Sequence, residues 1–119
     1  MRRPRPHPEE ARPPLEVRFT ELRVEPWPDG RRLRVHLDMT LFQENPSLEV
    51  ILTDDHAEEV ARADIIETAE NRIVFTLHIR NHRLSDTYRL TANITYPEAG
   101  IVDTRTITFH FDPAASGDA

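Results

Sequence analysis

Cysteine and lysine are both missing from this 119-residue chain, and only three glycines are present. Without cysteine there are no disulfides, thiolate metal ligands or thiol nucleophile. Without lysine there is no Schiff base and no P-loop, and all fifteen basic residues are arginine. That bias reads as the codon usage of a GC-rich genome rather than as a functional device. Gly30, Gly100 and Gly117 lie far apart, which excludes a loop that cradles phosphate. The serines, Ser47, Ser85 and Ser116, all lack the Gly-x-Ser-x-Gly setting of a nucleophile elbow. No apolar run approaches the roughly 18 residues of a membrane span, and no basic-then-apolar leader opens the sequence. The expectation is a soluble, cytoplasmic protein with no membrane partner and no cofactor.

The net charge is −6. Residues 1–14 carry +2 and residues 112–119 carry −2, so the body between them holds the whole −6. An acidic body repels phosphate backbones, and no nucleic-acid partner is expected. Pro4, Pro6, Pro8, Pro13 and Pro14 oppose helix and sheet pairing, so residues 1–14 read as a disordered Pro/Arg-rich tail. A functional reading of that tail is a basic arm touching an acidic partner. Arg2, Arg3, Arg5 and Arg12 are opposed by Glu9 and Glu10, and an extended tail is the plainer reading. Residues 112–119 read as a flexible C-terminal tail. The domain between, 15–111, is long enough to bury about two-thirds of its unfolded surface in one core.

What the chain does have is alternation. Leu33-Arg34-Val35-His36-Leu37-Asp38-Met39-Thr40-Leu41 places an apolar side chain at every second position. Period two is what a strand needs when one face meets a core and the other meets water. Comparable stretches run over Leu15–Val24, Arg32–Phe42, Leu48–Thr53, Glu59–Ile66, Arg72–Arg80 and Thr87–Tyr96, with a last one ending in Ile107, Phe109 and Phe111. The parity change between Phe19 and Leu22 predicts a bulge near Thr20-Glu21. Pro26-Trp27-Pro28-Asp29-Gly30 reads as a turn. Glu59–Glu70 has a rival reading as a short helix; the β-branched pair Ile65-Ile66 favours strand. The fold class is therefore all-β: a seven-stranded antiparallel β-sandwich.

Leu84-Ser85-Asp86-Thr87-Tyr88-Arg89-Leu90-Thr91-Ala92 resembles the tyrosine corner of immunoglobulin-like and fibronectin type III-like domains. In those families a tyrosine entering the penultimate strand turns its hydroxyl onto the backbone of the preceding loop, and Tyr88 is the matching position. The antibody-type cysteines are absent, and Trp27 precedes the second strand instead of lying in a core strand. The resemblance implies an immunoglobulin-like Greek key for the sandwich and brings no functional residues with it.

Candidate chemistry is sparse. His78 and His82 sit about 13 Å apart on a strand at about 3.3 Å per residue, too far for one metal. His36 and His78 face outward on neighbouring strands and read as a cross-strand pair of solvated histidines. Asp54-Asp55-His56-Ala57-Glu58-Glu59 is the densest acidic cluster and lacks the glycine turn of a calcium loop, so it reads as a solvated hairpin turn. With His36 and His78 it is the only raw material for a metal-dependent or carboxylate-based enzyme. Asn93-Ile94-Thr95 matches a glycosylation sequon without a secretory context. Trp27 offers a stacking platform for a carbohydrate-binding module, or a lid on the open end of the core.

One outward surface differs from the rest. Glu49, an exposed Ile51 and Thr53, then Arg89, Thr91, Asn93 and Thr95, then Thr104, Thr106 and Thr108 make a threonine-rich face with few charges. The opposite sheet carries Arg34, His36, Asp38 and Arg80. Low charge marks the centre of protein interfaces, and threonine also simply suits exposed strands. The functional expectation is a non-catalytic interaction module. It would meet a protein partner, or itself as a homodimer, through this face or through an edge strand.

Overall fold

The computed structural model describes residues 10–80 and 87–110. Seven strands occupy them: β1 (Phe19–Pro26), β2 (Arg32–Met39), β3 (Ser47–Thr53), β4 (Glu59–Ile65), β5 (Arg72–His78), β6 (Thr87–Tyr96) and β7 (Gly100–His110). They form a three-stranded sheet, β1-β2-β5, and a four-stranded sheet, β4-β3-β6-β7, with every pairing antiparallel. The chain fills one sheet with a hairpin, crosses to the other, returns for β5 and crosses back. The all-β sandwich read from the alternation is what the chain builds.

Alternation sets the interior. Leu33, Val35, Leu37 and Met39 of β2 face Leu48, Val50 and Leu52 of β3 and Tyr88, Leu90, Ala92 and Ile94 of β6, all of them buried. Burying each large aliphatic side chain stabilises the fold by about 1.5–3 kcal/mol relative to leaving it in water. In the β1–β2 turn, Gly30 takes a left-handed φ of 71° and its N–H donates to the Trp27 carbonyl at 3.1 Å. The Asp29 carboxylate accepts from the Arg31 N–H at 2.9 Å and closes the same turn.

Several boundaries differ from the sequence expectation. Leu15 lies in a 3₁₀ turn, Pro14–Glu16, and β1 begins only at Phe19, because Pro13 and Pro14 pre-set a turn rather than a ladder. The tail expected to be loose through residue 14 is tied down from Ala11, which is 5% exposed. The Arg12 N–H donates to the Leu41 carbonyl and the Gln43 N–H to the Arg12 carbonyl, each at 2.9 Å. β2 stops at Met39, and Phe42 instead makes a single parallel bridge with Arg12. β5 ends at His78, two residues early. The segment weighed as strand or helix is a strand, β4, and Ile66 falls beyond it, 72% exposed. Phe111, His82, Leu84-Ser85-Asp86 and the segments 1–9 and 112–119 lie outside the described residues.

The expected bulge is present between Phe19 and Glu21, and the structure shows what holds it. β1 and β7 are edges of opposite sheets on one side of the sandwich. The Phe19 N–H donates to Asp103 Oδ2 at 2.8 Å, and Arg105 Nη2 donates to the Phe19 carbonyl at 3.1 Å. Two side chains of β7 thus replace the ladder bonds that a neighbouring strand would supply. Asp103 and Arg105 share the inward parity of Ile107 and Phe109 at the sheet edge.

A tyrosine is buried near each end of β6. Tyr88 is buried and stacks on Phe109, with centroids 5.8 Å apart and planes inclined by 23°. At the other end of β6, the Tyr96 hydroxyl donates to the Glu44 carbonyl at 2.8 Å and pins the β2–β3 crossover. Burial, with the nearby Glu44 charge, pushes the Tyr96 phenol up to about 12.

Two tests follow from these contacts. Asp103→Ala leaves the nearly buried Phe19 N–H without its acceptor and is expected to cost about 1–3 kcal/mol in urea unfolding, with Asp103→Asn recovering part of it; an unchanged midpoint contradicts the clasp. The raised Tyr96 phenol must deprotonate more readily once unfolded, so its contribution is complete below about pH 10, the ordinary tyrosine value. That contribution is lost as pH climbs through about 12. The wild-type-minus-Tyr96→Phe difference in phenolate absorbance is expected to titrate near the upper value.

Candidate functional site

β-Pairing decides which outward side chains become neighbours. Across the four-stranded sheet, Asp64, Glu49, Asn93 and Thr104 fall in one row. Arg62, Ile51, Thr91 and Thr106 make the next, followed by Glu59, Thr53, Arg89 and Thr108. A bulge at Ile94/Thr95 sets Thr95 opposite Ile101, which is 58% exposed, with Ser47 on its other side. Every residue singled out for a low-charge face therefore lies on one continuous surface. Ile51 is only half-buried rather than freely exposed, since it is flanked by β4 on one side and β6 on the other.

Most polar groups of this surface are already committed to one another. Arg62 bonds Glu49 and also meets Asp64 at 3.1 Å and Glu59 at 3.5 Å. Asp64 first, then Glu49, hold its guanidinium above its ordinary pKa. The Asn93 amide donates to Glu49 at 2.9 Å and accepts from the Thr104 hydroxyl at 2.6 Å. Thr106 reaches Thr91 at 3.4 Å, and Thr53 donates to the Arg89 carbonyl at 3.3 Å. Asn93 is 8% exposed, so the sequon asparagine is built into the sheet. Sequence reading missed Arg62 and Asp64, whose charges complete the row; their place depended on β4 pairing with β3.

The three-stranded sheet presents the opposite character. Arg23 meets Glu21 at 2.9 Å and Glu25 at 3.3 Å, and Arg72 approaches Asp38 at 3.8 Å. His36 lies 3.4 Å from Glu25, close enough for attraction without a well-directed hydrogen bond. That imidazole, with Arg23 and Arg34, holds the Glu25 carboxyl below the usual carboxylate range.

Other candidates resolve differently. His36 is opposite Val74 and His78 opposite Arg32, so the two histidines are offset by four residues and do not form the expected cross-strand pair. Trp27 lies under the Arg32 guanidinium, 4.0 Å from its ring centroid, and Arg32 is itself held by Asp29 at 2.9 Å. The indole thus packs within its own hairpin instead of serving as the expected lid on the core. In the acidic turn, Asp54 is not solvated but 7% exposed. Its Oδ1 accepts from the His56 and Glu58 N–H groups at 2.8 and 3.0 Å, shaping a turn in which Ala57 takes φ 64°. Asp54, Asp55 and His56 bring potential ligand atoms within 4.8 Å of one another, beside a cavity of about 270 Å³ that also touches Tyr88, Arg89 and Thr108. A second groove, about 440 Å³, lies near Tyr96. No helix among the described residues is long and apolar enough to cross a membrane.

No protein-family model matches the sequence, and no curated protein matches it. Among solved structures the sandwich is similar to part of the β-glucuronidase of Ruminococcus gnavus. Its crystal structure aligns over 81% of this chain with a TM-score of 0.55 at 19% identity. The complexes of that enzyme with D-glucuronic acid and with C6-substituted uronic isofagomine give TM-scores of 0.56 and 0.57. The chain spans 16% of the enzyme's length, and at this identity the likeness concerns the fold.

Proposed function

We infer that this chain is a non-catalytic, immunoglobulin-like or fibronectin type III-like interaction module whose docking surface is the outer face of β3, β6 and β7. The observation that carries the reading is the internal pairing of that face's polar groups. Arg62 is ion-paired with Glu49 and Asp64, and Asn93 and Thr104 continue from Glu49 by hydrogen bonds. A partner covering the row has few unpaired charges to strip of water, and the side chains it meets are already held in place. Covering the β1-β2-β5 face would desolvate Arg23, Arg34, Arg72, Glu21, Glu25 and Asp38 instead.

The likeness to a small part of a long enzyme chain is consistent with a module that packs against other protein. β7 adds a second means of contact, because it is eleven residues long and, among the described residues, pairs with a strand on one side only. Self-association through this face is the form proposed. The rival reading, carbohydrate stacking on Trp27, is weakened by the guanidinium over the ring. The enzyme reading is weakened because Asp54 serves its own turn.

Light scattering coupled to size exclusion across a dilution series tests the proposal. The expected result is a dimer at high concentration that dissociates on dilution. Ile51→Arg and Thr106→Arg, each retaining the wild-type circular dichroism spectrum, are expected to be monomers throughout. A wild type that is monomeric at every concentration removes the self-association reading.

A further inference from the structure

The end of the sandwich where the 3₁₀ turn, the β2–β3 crossover, the β4–β5 connection and the β6–β7 turn converge is both apolar and acidic. Leu15, Ile66 and Ile101 are 68%, 72% and 58% exposed there, and Val74 is the one other large apolar side chain so exposed among the described residues. A groove of about 440 Å³ opens beside Leu15, walled by Pro14, Pro97 and Ala99, with the buried Tyr96 at its base and Glu44 and Glu98 along it. The base is held in place, since the Tyr96 hydroxyl donates to the Glu44 carbonyl at 2.8 Å. The wall prolines offer no N–H, so an occupant is met by side-chain contact rather than by strand pairing.

Charge selects the occupant. The segments that form this end, residues 11–18, 40–46, 66–71 and 97–99, hold five glutamates and two arginines. Both arginines are engaged. Arg12 pairs with Glu16 at 3.9 Å, and Arg18 donates to the carbonyls of Leu15, Val17 and Val102 at 3.0, 2.8 and 3.3 Å. Among the described residues, Glu44 and Glu98 enter no ion pair. The same end of a second copy is equally acidic, and the two repel. Arginine suits the site because its guanidinium pairs with carboxylate while its aliphatic stem rests on proline and leucine. We propose that the groove docks an extended segment of another protein in which arginine alternates with apolar residues. The guanidinium groups meet Glu44 and Glu98, and an apolar side chain covers Leu15. This site goes beyond the β3-β6-β7 face and lies at the end of the sheets, so either can fail alone.

The test titrates the full, isotope-labelled chain with a synthetic peptide that repeats leucine, proline and arginine. Saturable binding is expected, with amide shifts centred on Leu15, Glu44, Glu98 and Ala99 and none at the β1–β2 hairpin tip around Asp29. Glu44→Gln/Glu98→Gln is expected to weaken binding about tenfold, the sum of two exposed ion pairs. Leu15→Ser, which leaves the charge unchanged, is expected to weaken it by about the same factor through lost apolar burial. These side chains are exposed, and a wild-type circular dichroism spectrum shows that each variant keeps the fold. A peptide with serine in place of leucine that binds equally well overturns the proposal, since charge alone then suffices. Absence of saturable binding overturns it too, as do shifts centred on the Asp54–Glu59 turn. Groove shifts that appear on raising the protein concentration without peptide also overturn it, because the occupant is then a second copy.

Discussion

One constraint governs this molecule: alternate side chains of two sheets must meet in a single dry interior. No disulfide relieves that requirement, so the packed residues of β2, β3 and β6 hold the sheets together without covalent help. Register is then strongly specified, because a slip of one residue would exchange every buried side chain for its polar neighbour. Where the chain breaks parity it does so at bulges, at Thr20 of β1, Val60 of β4 and Val102 of β7. At the first of these the freed backbone of Phe19 is taken up by Asp103 and Arg105 from the facing sheet. Backbone that cannot pair within its sheet is thus satisfied by side chains across the sandwich.

The same parity determines the two outer faces. Residues between the core positions of β1, β2 and β5 are largely arginines and carboxylates in ion pairs, with His36, Val74, Thr76 and His78 among them. Those between the core positions of β3, β6 and β7 are mostly threonine and asparagine, with Arg89 of β6 exposed among them and Arg62 of β4 paired with the nearby acids. The contrast between a hydrated face and a face with its charges spent internally is what supports an interaction role for the second. It is a consequence of which residues occupy the off-core positions, and it leaves the interior unaffected.

How much of this is legible in the sequence follows from how local each feature is. β6 was readable in full, from Thr87 to Tyr96, because its apolar alternation is unbroken and a turn bounds it. The composition of the threonine face was readable too, since parity along each strand assigns every side chain to one side. Relations between strands were not. The offset of His36 from His78 is set by register, and the Phe19 clasp joins residues more than eighty positions apart. The fixing of Ala11 and Arg12 was hidden because proline density signals only that local pairing is disfavoured, while their bonds go to the distant residues Leu41 and Gln43. Asp54 looked like surface charge, yet its carboxylate turns inward onto its own loop, a local geometry that residue type alone does not reveal.

The central claim, that the β3-β6-β7 surface is where this sandwich meets its partner, is tested most directly with threonine methyl groups as probes. A methyl spectrum recorded over a wide concentration range reads both faces at once, because Thr91, Thr95, Thr104, Thr106 and Thr108 lie on one and Thr76 on the other. The account predicts concentration-dependent shifts confined to the first group, with Thr76 stationary. Shifts centred on Thr76, or a spectrum unchanged across the range, contradict it.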